Sequence, residues 1–245
     1  MQPGLKSVFV PLVRHEFYRK RGRRRQWMNR QWRLTYLLFF LMITLVLTTY
    51  FSLSYKIQLN YIWYVFFGLP WAIFGLTISR IVREWRGETV GWWLTLPCSR
   101  QTLISAKFAA SFMMSILIAL AVYVLILLFG GYAALISASL SLKDFGSFAE
   151  SGLWFFFLDI CSFPLAIAFG LLYGTLAQTK WRPAIPLFWI IWSLGWSIGG
   201  SLGWIRPDPS IQLSFTMILT VLISWTISWL LLVLTAWLLE KKLDL

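Results

Sequence analysis

Six long apolar runs, separated by short polar segments, dominate the chain. Several runs exceed the 18 residues that a helix needs to cross about 30 Å of hydrocarbon. Each run is continuously apolar rather than alternating, which favours helices over a β-barrel. We therefore predict an all-α polytopic membrane protein, with a transmembrane domain over residues 34–239. The six spans cover approximately residues 34–53, 61–79, 108–129, 153–177, 184–204 and 213–239.

Two features of the apolar pattern predict local detail. Pro70 lies at mid-depth in the second span, where it is expected to kink the helix. Apolar residues also recur at helical spacing before the first span, within the basic segment 1–33. This recurrence predicts an interfacial helix on the inner leaflet, which Pro11 is expected to kink. Its apolar positions are Leu5, Val8, Phe9, Leu12, Val13 and Phe17.

The longest hydrophilic interruption is residues 80–107, between the second and third spans. It holds five Lys or Arg, two Glu and three Trp, and a charge costs roughly 2.5–3.5 kcal/mol at the centre of a membrane helix. On a helix, Glu84 and Glu88 share one face, where nearby Arg side chains can pair with them. Pro97 ends that helix, and Ser99 is expected to cap a second helix running into Lys107. The segment thus predicts a short amphipathic helix in water that a partner protein can bind.

Charge predicts the orientation of the spans. Residues 1–33, 80–107, 178–183 and the tail 240–245 carry 10, 5, 2 and 2 Lys or Arg, and the opposite side carries only Lys56, Lys143 and Arg206. By the positive-inside rule both termini are cytoplasmic. The net charge of +13 is then attributed to orientation and to anionic lipid headgroups rather than to nucleic acid. Residues 137–152 become an external loop with room for a short surface helix.

Catalytic chemistry is poorly supported by the sequence. His15 is the only histidine, which argues against a zinc site and against a Ser–His or Cys–His pair. Cys98 and Cys161 are expected at different depths, so no disulfide or cysteine metal site is predicted. No GxxxxGK[ST] motif occurs. We expect no catalytic residue, no metal and no bound cofactor in this chain, so ATP-driven work would require another subunit.

Within the membrane, three sets of residues have both a functional and a structural interpretation. Asp159 is the one carboxylate predicted inside a span; it either lies on a substrate path or gate, or makes a local hydrogen bond. Trp192 and Trp196 lie deep enough to contact an amphipathic substrate, although lipid-facing packing is the commoner role. Small residues every fourth position on the fifth span favour close helix packing, inside the bundle or across a dimer: Gly195, Gly199 and Gly203. Most other tryptophans, Trp63 among them, are assigned to the aromatic belts at the membrane interfaces.

The chain resembles the membrane subunit of an ATP-binding-cassette (ABC) exporter of type 2. The similarity rests on the amphipathic segment Leu5–Arg19, which looks like the elbow helix of that family, on six spans with cytoplasmic ends, and on the loop between spans two and three. The loop motifs are Glu84, Gly87-Glu88-Thr89, Leu94-Thr95-Leu96-Pro97-Cys98-Ser99-Arg100, Leu103-Ile104 and Lys107.

The resemblance implies partners as well as a fold. It implies a coupling helix at roughly Arg83–Leu96 seated in a separate cytoplasmic ABC ATPase, which binds ATP and Mg, and a second permease subunit in a homo- or heterodimer. It also implies a re-entrant outer segment, for which 196–209 is the candidate. The residues assigned to the ATPase contact are Arg83, Glu84, Trp85, Arg86, Glu88, Trp92, Trp93, Pro97 and Arg100.

The function predicted from the sequence is therefore the permease subunit of a plasma-membrane exporter, with a hydrophobic or amphipathic cargo. A non-transporting assembly or scaffold protein of envelope or haem biogenesis is the main alternative. A proton-coupled carrier centred on Asp159 is a third.

Overall fold

The computed structural model describes residues 5–18, 30–54, 59–86, 98–136, 142–187, 189–190, 193 and 215–241. Within these ranges the chain is helical and contains no strand, which confirms the all-α class. The long helices are α1 (Leu5–Tyr18), α2 (Arg30–Ser54), α3 (Leu69–Arg86), α4 (Arg100–Ile136), α5 (Leu142–Leu176) and α6 (Phe215–Lys241). A 3₁₀ helix, Leu59–Gly68, leads directly into α3.

Among the described residues, four helical segments are long and apolar enough to cross a membrane. They are Ile62–Arg86, Arg100–Ile136, Phe145–Leu176 and Ile218–Lys241, and they match the second, third, fourth and sixth predicted spans. The first predicted span coincides with α2, whose apolar stretch Leu34–Tyr50 is shorter than these four. Most of the fifth predicted span, 184–204, lies outside the described residues. The chain is thus a multi-pass membrane protein, and the number six stays a prediction.

The second span differs from the sequence prediction at Pro70. The chain is 3₁₀-helical up to Gly68 and α-helical from Leu69. Pro70 is therefore the second residue of α3, where an N–H has no partner within the helix and its loss costs nothing. The chain changes helix type directly before Pro70, and the expected kink stays a prediction.

Three helices extend beyond the predicted spans. The second span continues to Arg86, α4 begins at Arg100, and α5 begins at Leu142 rather than at residue 153. Residues 142–152 therefore continue the fourth predicted span and are not a separate surface helix. The reason lies in Phe148, which is fully buried and fixes this polar stretch to the protein.

The predicted N-terminal helix is present. Its apolar face was expected to lie on the inner leaflet, but other parts of the protein cover some of it. Helix α1 includes Pro11 without ending there. Phe9, Leu12, Val13 and Phe17 are half-buried. The apolar stripe is thus partly covered by the protein itself. The position of α1 at the membrane surface, and its role as an elbow helix, stay predictions.

The helices form two compact units. The first comprises Met1–Phe17, Phe67–Leu117 and Leu158–Leu245, and its apolar core joins α3, α5 and α6. Buried members of this core are Phe74, Ala166, Leu172, Leu176 and Leu238. Helices α3 and α5 approach closely because α5 presents glycines: a Cβ at Gly170 would lie 2.8 Å from Cβ of Thr77, and one at Gly174 would lie 3.0 Å from Cβ of Ile81.

The second unit comprises Tyr18–Phe66 and Ile118–Phe157 and is organised around Trp63. The Trp63 ring has no exposed surface, stacks on Tyr123 at a centroid distance of 5.4 Å, and donates from Nε1 to the carbonyl of Phe148 at 3.0 Å. Gly152 leaves room for this ring, which a Cβ there would overlap. Trp63 is therefore a core residue, and its assignment to a lipid-facing aromatic belt is wrong. Its indole N–H has a protein partner, as a buried Trp requires.

Candidate functional site at the ends of helices α3 and α4

The structure describes both ends of the hydrophilic segment between α3 and α4, and residues 87–97 lie outside the described ranges. Helix α4 begins at Arg100 because Ser99 caps it: the Thr102 backbone N–H donates to Ser99 Oγ at 3.2 Å. The two hydroxyls of Ser99 and Thr102 also lie 2.7 Å apart. This contact satisfies one of the free N–H groups in the first turn. The N-cap predicted at Ser99 is confirmed.

A buried ion-pair cluster joins three helices of the first unit. Lys107 of α4 donates from Nζ to both carboxylate oxygens of Glu84 in α3, at 2.7 Å to Oε1 and 2.6 Å to Oε2. It also donates to Glu16 Oε1 of α1 at 3.0 Å. The side chains of Lys107 and Glu84 are 7% and 5% exposed, and that of Glu16 is 20% exposed. We call these three residues the Lys107 cluster.

Local sequence explains how α4 places an ammonium in the protein interior. Leu103, Ile104, Lys107 and Ser111 recur at helical spacing and are all buried, so Lys107 lies within an apolar stripe. A buried charge is tolerated when it is paired and hydrogen-bonded, and the two carboxylates supply that pairing. Lys107 lies about 10 Å along α4 from Arg100, at 1.5 Å per residue. The cluster therefore fixes α3 and α4 to each other close to where both helices meet residues 87–97.

The cluster contains one predicted residue with a new partner and one residue that sequence reasoning missed. Glu84 was predicted to form ion pairs along its own helix surface, and the structure adds a bidentate contact to the next helix. Glu16 was missed. The sequence feature that could have identified Glu16 is its position on the apolar face of α1, because residues 9, 12, 13, 16 and 17 lie on one side of the helix. A lone acidic residue on such a face predicts a buried cation opposite it.

The other residues assigned to the ATPase contact fall into two groups. Arg83 and Arg86 are exposed in the last turn of α3, whereas Trp85 and Arg100 are half-buried. Arg80, one turn before Glu84, donates to Ser111 Oγ of α4 at 3.5 Å, a weak second link between these helices. The remaining assigned residues lie outside the described ranges: Glu88, Trp92, Trp93 and Pro97.

Of the residues assigned to a substrate path or to helix packing within the membrane, the structure describes only Asp159. Its side chain is buried, and its Oδ2 has no hydrogen-bond partner among the described residues. The backbone carbonyl of Asp159 accepts from Ser162 Oγ at 2.8 Å. Trp192, Trp196, Gly195, Gly199 and Gly203 lie outside the described residues. The deep tryptophans that are described, Trp189, Trp225 and Trp229, have exposed rings, as lipid-facing residues do.

The arrangement suits transmission of force better than bond chemistry. The Lys107 ammonium is engaged by hydrogen bonds to two carboxylates, so the cluster joins helices and does not present a nucleophile. Helices α3 and α4, which share the bidentate Lys107–Glu84 pair, move together when either is displaced, because separating them exposes unpaired charge in a poorly solvated site.

Comparison with known proteins bears on the family of the chain. Searches of curated protein sequences and of solved structures found no match to the chain. A family model described as an ABC-2 family transporter protein matches residues 12–177, a range that contains all three members of the Lys107 cluster. Members of this family are membrane transport subunits that work with an ATPase subunit. Because the match covers more than half of its length, the chain belongs to the ABC-2 family of transporter membrane proteins.

Proposed function

We propose that the chain is the permease subunit of an ATP-driven exporter in the plasma membrane. ATP and Mg would bind to a separate cytoplasmic ATPase subunit, and residues 87–97 with their flanking residues would form the contact. The observation that carries this proposal is the bidentate Lys107–Glu84 pair, which fixes the two helices that lead into and out of that segment.

Coupling requires a rigid connection between the ATPase contact and the spans. Helix α3 continues without a break from the span to Arg86, and α4 runs unbroken from Arg100 to Ile136. With their ends joined at Lys107, a displacement of the intervening segment moves both helices as one body. Arg83 and Arg86 are exposed at the end of α3 and so are accessible to a partner.

The remaining parts of the proposal rest on the sequence. The Lys and Arg distribution supports cytoplasmic termini, and the family resemblance supports a second permease subunit. The scarcity of intramembrane charge supports a hydrophobic or amphipathic cargo, with Asp159, Trp192 and Trp196 as candidates for its path.

Reconstitution with the ATPase subunit tests the proposal. The pair is co-expressed, purified through a tag on the permease and inserted into liposomes. We then measure retention of the ATPase and ATP-driven flux of rhodamine 6G, an amphipathic fluorescent dye. Glu88→Ala and Trp92→Ala should each lower ATPase retention or flux by about tenfold, the effect of losing about 1.4 kcal/mol of binding energy.

The matched control is Glu240→Gln, which removes a carboxylate at an exposed position near the end of α6 and should change neither readout. Intact retention and flux in Glu84→Ala, Glu88→Ala and Trp92→Ala would refute the coupling role. Retention of a partner without any ATP-driven flux would favour the scaffold alternative. Dye flux without an ATPase that Asp159→Asn abolishes would favour the proton-coupled carrier.

A further inference from the structure

We infer that Glu16 is a positioning residue that docks α1 onto helices α3 and α4 through Lys107, and that α1 undocks when the ATPase displaces α3 and α4. The inference rests on the proposed function.

The two carboxylates in the Lys107 cluster are not equivalent. Glu84 bonds Lys107 through both oxygens, at 2.6 and 2.7 Å, and is 5% exposed. Glu16 bonds through one oxygen at 3.0 Å and is 20% exposed. Water reaches Glu16 more readily, so its attraction to Lys107 is more strongly screened and its charge is more easily resolvated. When the cluster opens, Lys107 therefore stays with Glu84 and the bond to Glu16 breaks.

The packing of α1 matches a helix that can separate from the core. Among its described side chains, residues 9–17, none is fully buried. One face carries the half-buried Phe9, Leu12, Val13 and Phe17 together with Glu16, and the other carries exposed residues such as Val10 and Arg14. Segments with few fully buried apolar contacts open at lower free-energy cost than core helices. The Glu16–Lys107 bond is thus one of the contacts that hold α1 in place.

These contacts define two states of α1. In the docked state Lys107 bonds to both carboxylates, as in the structure. In the undocked state the displaced α3–α4 pair keeps the Lys107–Glu84 bond, and the half-buried face of α1 becomes exposed. Removing the charge of Glu16 weakens only the docked state, so the equilibrium shifts toward undocking without ATP.

Cysteine labelling of α1 measures this equilibrium directly. In a chain with Cys98→Ser and Cys161→Ala, Val13→Cys places a single thiol on the half-buried face of α1. Val10→Cys places one on the exposed face, where Val10 is 64% exposed. Labelling by a water-soluble maleimide is followed in the permease–ATPase complex, without nucleotide and after trapping with ATP, Mg and vanadate.

In the complex with Glu16 intact, trapping should speed labelling of Val13→Cys by about fivefold, the lower end of typical allosteric coupling. Adding Glu16→Gln should make labelling fast without nucleotide, so that trapping adds nothing. Arg14→Gln, which removes an exposed charge from the same helix, should leave the nucleotide effect intact. Val10→Cys should be labelled rapidly under every condition.

Equal labelling of Val13→Cys with and without trapping, in a complex that retains its ATPase and hydrolyses ATP, overturns the inference and leaves the proposed function standing. The inference is also overturned if trapping still speeds labelling of Val13→Cys in the Glu16→Gln variant. If no ATPase is retained by the otherwise unchanged permease, the proposed function fails and the inference fails with it. Because the first comparison keeps Glu16, its outcome does not depend on the folding of the Glu16→Gln variant.

Discussion

Removing the charge of Lys107 or Glu84 should destabilise the protein far more than removing a surface charge. Lys107 and Glu84 are only 7% and 5% exposed. Deleting one partner of such a buried pair typically costs about 3–5 kcal/mol, because the other charge stays buried without its counter-ion. Exposed pairs contribute about 0.2–1 kcal/mol. The low exposure of Lys107 and Glu84 therefore predicts a cost in the range of buried pairs for the loss of either charge.

The geometry also predicts an order among the variants. Lys107→Met should cost most, because it deprives two carboxylates of their shared ammonium. Glu84→Gln should cost less, since Lys107 keeps its bond to Glu16 at 3.0 Å. Glu16→Gln should cost least, about 1 kcal/mol, because Glu16 is the most exposed member and bonds Lys107 through one oxygen only. The double variant Lys107→Met/Glu84→Gln should cost less than the sum of the single variants.

Unfolding by SDS titration in mixed micelles, followed by tryptophan fluorescence, measures these free energies. Glu240→Gln serves as the control and should change the free energy of unfolding by less than about 0.5 kcal/mol. Two outcomes would contradict the reasoning: a cost below about 1 kcal/mol for Glu84→Gln, as an exposed pair would give, or additive costs in the double variant.

Three further pairs of substitutions test helix packing and capping elsewhere in the structure. Gly170→Leu should destabilise the α3–α5 contact by about 1–3 kcal/mol, since a Cβ there lies 3.1 Å from the carbonyl of Phe74; Gly146→Ala, where nothing lies within 4 Å, should be neutral or stabilising in the same SDS titration. Trp63→Ala should cost about 3–5 kcal/mol of unfolding free energy, whereas Trp229→Ala, at an exposed position, should cost much less; equal costs would contradict the core assignment of Trp63. Ser99→Ala should lower stability by about 1 kcal/mol through loss of the α4 N-cap, and Ser99→Asp, which can still cap, should restore it.

The sequence predicts four spans that are present among the described residues, because hydrocarbon requires long, continuously apolar helices. It predicts their ends poorly, for an equally physical reason. Hydropathy indicates where a helix crosses lipid, whereas α3 and α5 continue into polar stretches that tertiary contacts keep helical. The polar residues before 153 looked like a loop, yet buried Phe148 and the close approach of Gly152 to Trp63 hold them in α5.

The contacts at the candidate site likewise divide into those that a local sequence pattern indicates and those that only the folded structure specifies. Glu84 and Lys107 were singled out as members of a loop motif, 23 residues apart, but no local pattern specified that they meet. Glu16 lies 91 residues from Lys107, so only the folded structure brings them together. By contrast, the close α3–α5 contact had a readable signal, since Gly170 and Gly174 have the spacing of the small-residue packing motif.

The 3₁₀ helix before α3 has a consequence for the length of its segment. A 3₁₀ helix rises about 2.0 Å per residue against 1.5 Å for an α-helix, so ten residues reach about 5 Å further, close to one α-helical turn. Side chains at spacing three also align along a 3₁₀ helix, and Trp63, Phe66 and Leu69 are buried at that spacing, whereas Ile73, Thr77 and Ile81 in α3 are buried at spacing four. The 3₁₀ segment thus crosses more of the membrane with the same number of residues. The spacing of the buried residues changes from three to four at Leu69, which is where the 3₁₀ helix ends and α3 begins.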